Sequence, residues 1–228
     1  MNRLWVFGDN SSCIFSRTKE RRFAYYKQCR NDIFPASWSE LLSNKLNLKL
    51  NNLAVSGQSN YDIFEWFCKY SNSLKENDIV LIGWSYVQRF RLFDEYTNEY
   101  ITIRPNSLIY SNVPTLLNGI SLSSIDEILK NRINDKWISE INNWEVLIKA
   151  FCELKKCKLY FWTFDETLNK PEYLSGVDKN FREYLIKNGA EDITIETNGK
   201  LIDEHFGEKG QLVQSEYFFN CINNKNDE

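Results

Sequence analysis

Apolar residues in this chain fall into short unbroken runs, and between the runs they recur at helical spacing. Leu4-Trp5-Val6-Phe7 is the first run, bounded by Gly8-Asp9-Asn10-Ser11-Ser12, the pattern of a buried strand that enters a tight turn. Leu48 to Ala54 reads as a second strand, ending in Val55-Ser56-Gly57-Gln58-Ser59-Asn60. Asp78-Ile79-Val80-Leu81-Ile82 is a third and stops at Gly83-Trp84-Ser85-Tyr86, Lys158 to Trp162 is a fourth, and Ile193 to Ile195 is a short fifth.

The stretches between these runs read as helices. Ser37-Trp38-Ser39-Glu40 is a capping box followed by Leu41, Leu42 and Leu46, so the hydroxyl and the carboxylate can satisfy the first free amides. Ser59 or Asn60 caps a helix with an apolar face of Ile63, Phe64, Trp66, Phe67 and Tyr70. A longer stripe runs through Trp137, Ile141, Trp144, Leu147, Ile148, Phe151 and Leu154. A helix is expected around 179–187, and a last one opens after Asp203-Glu204-His205-Phe206-Gly207-Glu208-Lys209-Gly210 and ends near Cys221. From Phe90 to about Arg132 the pattern weakens; Tyr100 to Ile103 reads as a short strand and Ser123 to Ile128 as a second capping box. This stretch is expected to be an insertion that decorates the sheet. Strand and helix otherwise alternate, which predicts an α/β fold with a parallel sheet of about five strands and helices on both faces, because parallel strands need helical crossovers.

At 228 residues the chain is expected to be one domain over 1–228. Its formal charge of −3 argues against an overall electrostatic nucleic-acid binder. The segment Cys13 to Phe34 does interleave Arg17, Lys19, Arg21, Arg22, Lys27 and Arg30 with Phe15, Phe23, Tyr25 and Tyr26. Such a pattern can bind phosphate, anionic glycans or single-stranded nucleic acid, and a solvated charged face is the favoured reading there. No run has the length of a membrane span and Met1-Asn2-Arg3 leads straight into a strand, so neither a membrane anchor nor a cleaved signal is expected and the compartment reads as cytoplasmic. The six cysteines lack metal-ligand spacing and read as free thiols; His205 is the only histidine, which excludes a multi-histidine metal site. No metal and no other cofactor is expected, and a nucleotide site lacks both Gly-x-Gly-x-x-Gly and a Walker-type loop.

The candidate chemistry sits in loops that follow strands: Gly8-Asp9-Asn10-Ser11, Val55-Ser56-Gly57 and Gly83-Trp84-Ser85, joined by Asp203-Glu204-His205 near the end. In a doubly wound sheet these loops share one edge. A hydroxyl, an imidazole and an orienting carboxylate are the parts of a nucleophilic triad, and a glycine lets its N–H approach an oxyanion closely.

In that order the four blocks resemble the SGNH (GDSL-like) hydrolases, which carry Gly-Asp-Ser after the first strand, a glycine after the second, Gly-x-Asn-Asp after the third and an Asp/His pair near the end. The resemblance spans Phe7 to Gly210 and implies a flavodoxin-like sheet and metal-free ester hydrolysis, on acylated sugars, lipids or small acyl esters. By the match, His205 is the general base, Asp203 its orienting carboxylate, Gly57 an oxyanion donor and Gly83 the opening glycine of the third block. Two positions depart from the pattern. Asn10 stands at the nucleophile, leaving Ser11 one residue later as the candidate, and Ser85 stands where an asparagine amide would donate to the oxyanion. Its hydroxyl can still donate one hydrogen bond, with shorter reach, so Gly57 N–H and Ser85 are expected to complete the oxyanion site. The expected activity is a Ser11/His205/Asp203 ester hydrolase acting on an acylated carbohydrate or related small ester. The alternative is a catalytically inactive, glycan-binding or structural module in which Asn10 marks the lost serine. Arg89 could clamp an anionic substrate group or form a structural ion pair, and Trp84 and Tyr86 could stack on a sugar or simply pack.

Overall fold

The structure is a computed structural model and describes residues 2–9, 35–55, 57–94, 99–103, 135–165, 167–168, 176, 178, 180–190 and 206–224. Cys13 to Phe34, the capping box at Ser123, the short strand at Ile193 and the residues Asn10, Ser11, Ser12, Asp203 and His205 lie outside them.

The elements run β1 (Arg3–Phe7), α1 (Trp38–Leu46), β2 (Lys49–Asn52), α2 (Asn60–Ser71), β3 (Ile79–Trp84), β4 (Phe90–Asp94), β5 (Glu99–Ile103), α3 (Asp135–Leu154), β6 (Lys158–Thr163), α4 (Phe181–Lys187) and α5 (Glu208–Asn224). Among the described residues the main sheet has the order β2-β1-β3-β6, and all its pairs are parallel. The chain steps from β1 outward to β2, then crosses back to β3 on the other side of β1. That reversal is the switch point of a flavodoxin-like order, and the carboxyl ends of β1 and β3 flank it.

Alternation along the strands divides the core in two. Trp5, Phe7, Val80, Ile82, Trp84 and Phe161 pack with Ile63 and Phe67 of α2 and Ile141 and Ile148 of α3. Leu4, Val6, Ile79, Leu81 and Trp162 pack on the opposite face with Trp38 and Leu42 of α1, Phe181 and Leu185 of α4, and Tyr217 and Phe218 of α5. Both faces of β1 and β3 are thus covered, which is why those strands read as continuous apolar runs.

The expected capping box at Ser37 forms, and the cap expected at Ser59 or Asn60 is Ser59, which makes a second box with Asp62. Ser37 accepts from the Glu40 amide at 3.3 Å and its own amide donates to Glu40 at 2.8 Å; Ser59 and Asp62 do the same at 3.3 and 2.8 Å. Three expectations are corrected. β3 does not stop at Gly83 but runs on through Trp84, because Gly83 and Trp84 continue the ladder opposite Trp162 and Thr163. The expected stripe of α3 is corrected in part: Ile141 and Ile148 are buried and Trp137, Trp144 and Phe151 pack against the same core, but Leu147 and Leu154 are 57% and 79% exposed, and Ile138, Glu145 and Cys152 join the buried line. Tyr100 to Ile103 is a strand as expected, but its partner, Phe90 to Asp94, extends the regular structure into the stretch that looked unpatterned. No described helix is long and apolar enough to cross a membrane.

Candidate active site

The loops after β1, β2 and β3 are hydrogen-bonded to one another at the carboxyl edge of the sheet. Leu53 N–H donates to Val6 O at 2.7 Å and Val55 N–H to Gly8 O at 3.1 Å, so the chain leaving β2 tracks the end of β1. Gly57 then turns with φ +87°, a conformation that a side chain would oppose, and delivers Ser59 to cap α2. The first residue of α2, Asn60, reaches the loop after β3. Its Oδ1 accepts from Ser85 N–H at 2.7 Å and its Nδ2 donates to Ser85 O at 3.1 Å.

Ser85 is 2% exposed and Asp9 5%. The Ser85 hydroxyl donates to Asp9 Oδ2 at 2.9 Å. Arg89 Nη1 donates to the same carboxylate oxygen at 2.5 Å and to Ser85 Oγ at 2.7 Å. The Arg89 guanidinium also lies over the Tyr86 ring, 5.1 Å from its centroid. Burial, reinforced by the Asp9 charge, pushes the Tyr86 phenol up from its ordinary value. Removing one partner from so buried an ion pair leaves an uncompensated charge and costs about 3–5 kcal/mol. The pair therefore holds the loop after β1 against the loop after β3.

The end of β6 joins the same edge. Thr163 Oγ1 donates to Trp84 O at 3.1 Å, and Val87 N–H donates to Asp165 Oδ2 at 2.6 Å. Trp84 itself is held from the α3 side, where its Nε1 donates to the buried Glu145 carboxylate at 2.9 Å.

Beside this cluster opens a cleft of about 280 Å³ lined by Ser59, Asn60, Tyr61, Val87, Arg89, Arg91, Trp137, Glu140, Ile141 and Trp144. Arg91 is held by Asp62 at 3.1 Å and Glu65 at 2.7 Å and lies over the Tyr61 ring at 4.9 Å. A larger cavity of about 710 Å³, between β6 and α5, includes none of the residues of the three loops.

Of the expected site residues, Asp9 and Ser85 meet directly, and Gly57 lies on the connection that carries Asn60 to Ser85. Gly83 is a strand residue two positions from the contact. Asn10, Ser11, Asp203 and His205 lie outside the described residues. The single hydroxyl proton of Ser85 goes to Asp9, and Arg89 has the ion-pair role. Asn60 read only as a cap, and Asp165 was missed, although a carboxylate three residues past a strand's apolar run was a legible signal.

No protein-family model matches this chain, and no curated protein sequence matches it. Solved structures similar to it include two bacterial proteins. One is the YxiM protein of Bacillus subtilis, at 13% identity and a TM-score of 0.31, over 72% of this chain and 33% of that one. The other is an acetyl xylan esterase, Est2A, from the rumen bacterium Butyrivibrio proteoclasticus, at 8% identity and a TM-score of 0.45, over 99% of this chain and 64% of that one. The chain thus spans less than two thirds of either protein. At these values the likeness carries nothing about function.

Proposed function

We propose that this chain is an SGNH-type ester hydrolase whose substrate is an acylated carbohydrate or a related small ester. The observation that carries the reading is the bonded meeting of the loops after β1, β2 and β3 at the switch point, in the order of the sequence blocks. In this reading Ser11 Oγ attacks the acyl carbon and His205, oriented by Asp203, takes its proton. The carbonyl electron pair moves onto oxygen, where Gly57 N–H stabilises the charge. Collapse of the intermediate expels the alcohol, which takes the proton from His205. Water then repeats the sequence on the acyl-serine and releases the carboxylic acid.

Labelling with a fluorophosphonate followed by peptide mass spectrometry tests this. Modification of Ser11, lost in His205→Ala, is the expected result, whereas modification of Ser12 or Ser85 redraws the site. A second reading, a glycan-binding or structural module, is favoured by Asn10 at the nucleophile position and by the Ser85 hydroxyl being spent on Asp9. It predicts a folded protein that the probe does not label at any serine.

A further inference from the structure

We infer that Arg89 is a catalytic residue that donates to the oxyanion of the ester substrate, supplying the hydrogen bond that Ser85 does not; this rests on the esterase reading. Ser85 has one hydroxyl proton and gives it to Asp9, and its backbone N–H and carbonyl are both held by Asn60. Arg89 carries five N–H groups. Two, both on Nη1, go to Asp9 and Ser85. Among the described residues no acceptor takes the three on Nε and Nη2. The side chain is only 10% exposed, and Arg89 lines the cleft beside the β1/β3 switch point.

Charge decides between a clamp for an anionic group and an oxyanion donor. Asp9 offsets the guanidinium at 2.5 Å, and the cleft's other arginine is matched by Asp62 and Glu65 while Glu140 adds a further carboxylate. Such a site does not attract a full anion from solution. Its fixed N–H dipoles still gain when a neutral carbonyl acquires charge, which is the differential binding that accelerates a reaction. The Asp9, Ser85 and Tyr86 contacts fix the guanidinium plane before the substrate arrives.

The test is Arg89→Lys, with turnover of 4-nitrophenyl acetate and fluorophosphonate labelling measured beside the unmodified chain. An ammonium can still pair with Asp9 and Ser85, so the fold survives, but the planar fork of donors is lost. The expected result is a kcat lower by about 10²–10³-fold with little change in KM. Arg89→Met should lose as much and regain turnover when guanidinium ion is added. If Arg89→Lys keeps kcat within about threefold of the unmodified chain, Arg89 only positions Asp9 and the inference is overturned alone. If the unmodified, folded chain neither turns over nor labels, the esterase reading falls and this inference with it.

Discussion

Asn60→Ala measures how firmly the edge of the sheet is tied together. The Asn60 amide serves both backbone groups of Ser85, at 2.7 and 3.1 Å, and the two residues are 5% and 2% exposed. Truncation leaves a buried N–H and a buried carbonyl without partners, each worth about 1–3 kcal/mol. Alanine returns about 0.5 kcal/mol of helix propensity at the first position of α2, and water that enters the vacated volume returns some more. The net loss should be about 3 kcal/mol, which for a chain of this size lowers the melting midpoint by about 6–12 °C. Urea unfolding followed by tryptophan fluorescence gives the number directly, with an unchanged slope showing that the denatured state is the same. Asn60→Asp is the companion: it keeps the acceptor for Ser85 N–H but sets a carboxylate oxygen against Ser85 O, so it should also be destabilised. A loss below about 1 kcal/mol in Asn60→Ala, with the slope unchanged, would refute the claim that this amide joins the two loops.

Two further outcomes follow from packing and burial. A Cβ on Gly210 would lie 2.8 Å from Phe206 Cβ and 2.6 Å from its Cδ1, and the first of these cannot be relieved by rotating the ring. Gly210→Ala should therefore lower the melting midpoint despite the better helix former, by an amount set by about 1–3 kcal/mol of overpacking; a rise would show that Phe206 yields. Burial pushes the Tyr160 phenol up to about 12, so the folded state keeps a proton that the unfolded chain gives up near pH 10. The Tyr160 contribution is fully present below pH 10 and is lost as pH rises from about 10 to 12. Tyr160→Phe should flatten that part of the stability profile, and an unchanged slope in chemical denaturation across those pH values would contradict it.

The runs at Leu4–Phe7 and Ile79–Ile82 were legible because a central parallel strand is covered on both faces, and nothing polar interrupts it. The capping box at Ser37 was legible because its partners lie three residues apart; at Ser59 only a cap was read, and the box that Asp62 completes with it was not. Gly83 misled because a glycine ordinarily punctuates a strand; here Trp84 beyond it is anchored by Glu145 and keeps the ladder going. Along α3, apolar residues occur on more than one helical line, so spacing alone could not separate the buried line from Leu147 and Leu154. Glu145 sits on the buried line and accepts there from Trp84 Nε1 and the Gly176 amide. At the site, the strand-end loops were legible from topology. The bonds between them were not, since Asp9 and Arg89 lie 80 positions apart, and no local pattern encodes such a pair.

Buried aspartates stand at both ends of the sheet, and their partners differ in kind. At the amino edge Asp78 is 1% exposed and accepts from Arg3 N–H, Trp5 Nε1 and Lys75 N–H at 2.9, 2.9 and 3.0 Å. Those donors are backbone amides and an indole with no further proton to offer, so that edge is stitched shut. At the carboxyl edge Asp9 instead holds an arginine that has more donors than its described partners use and that lines a cleft. A buried ion pair is a poor way to gain stability, because the desolvation of both charges offsets most of the attraction. Replacing such a pair by apolar residues of similar volume is often neutral for stability. What the Asp9–Arg89 pair adds is a guanidinium held at the switch point, beside the cleft that Arg89 lines.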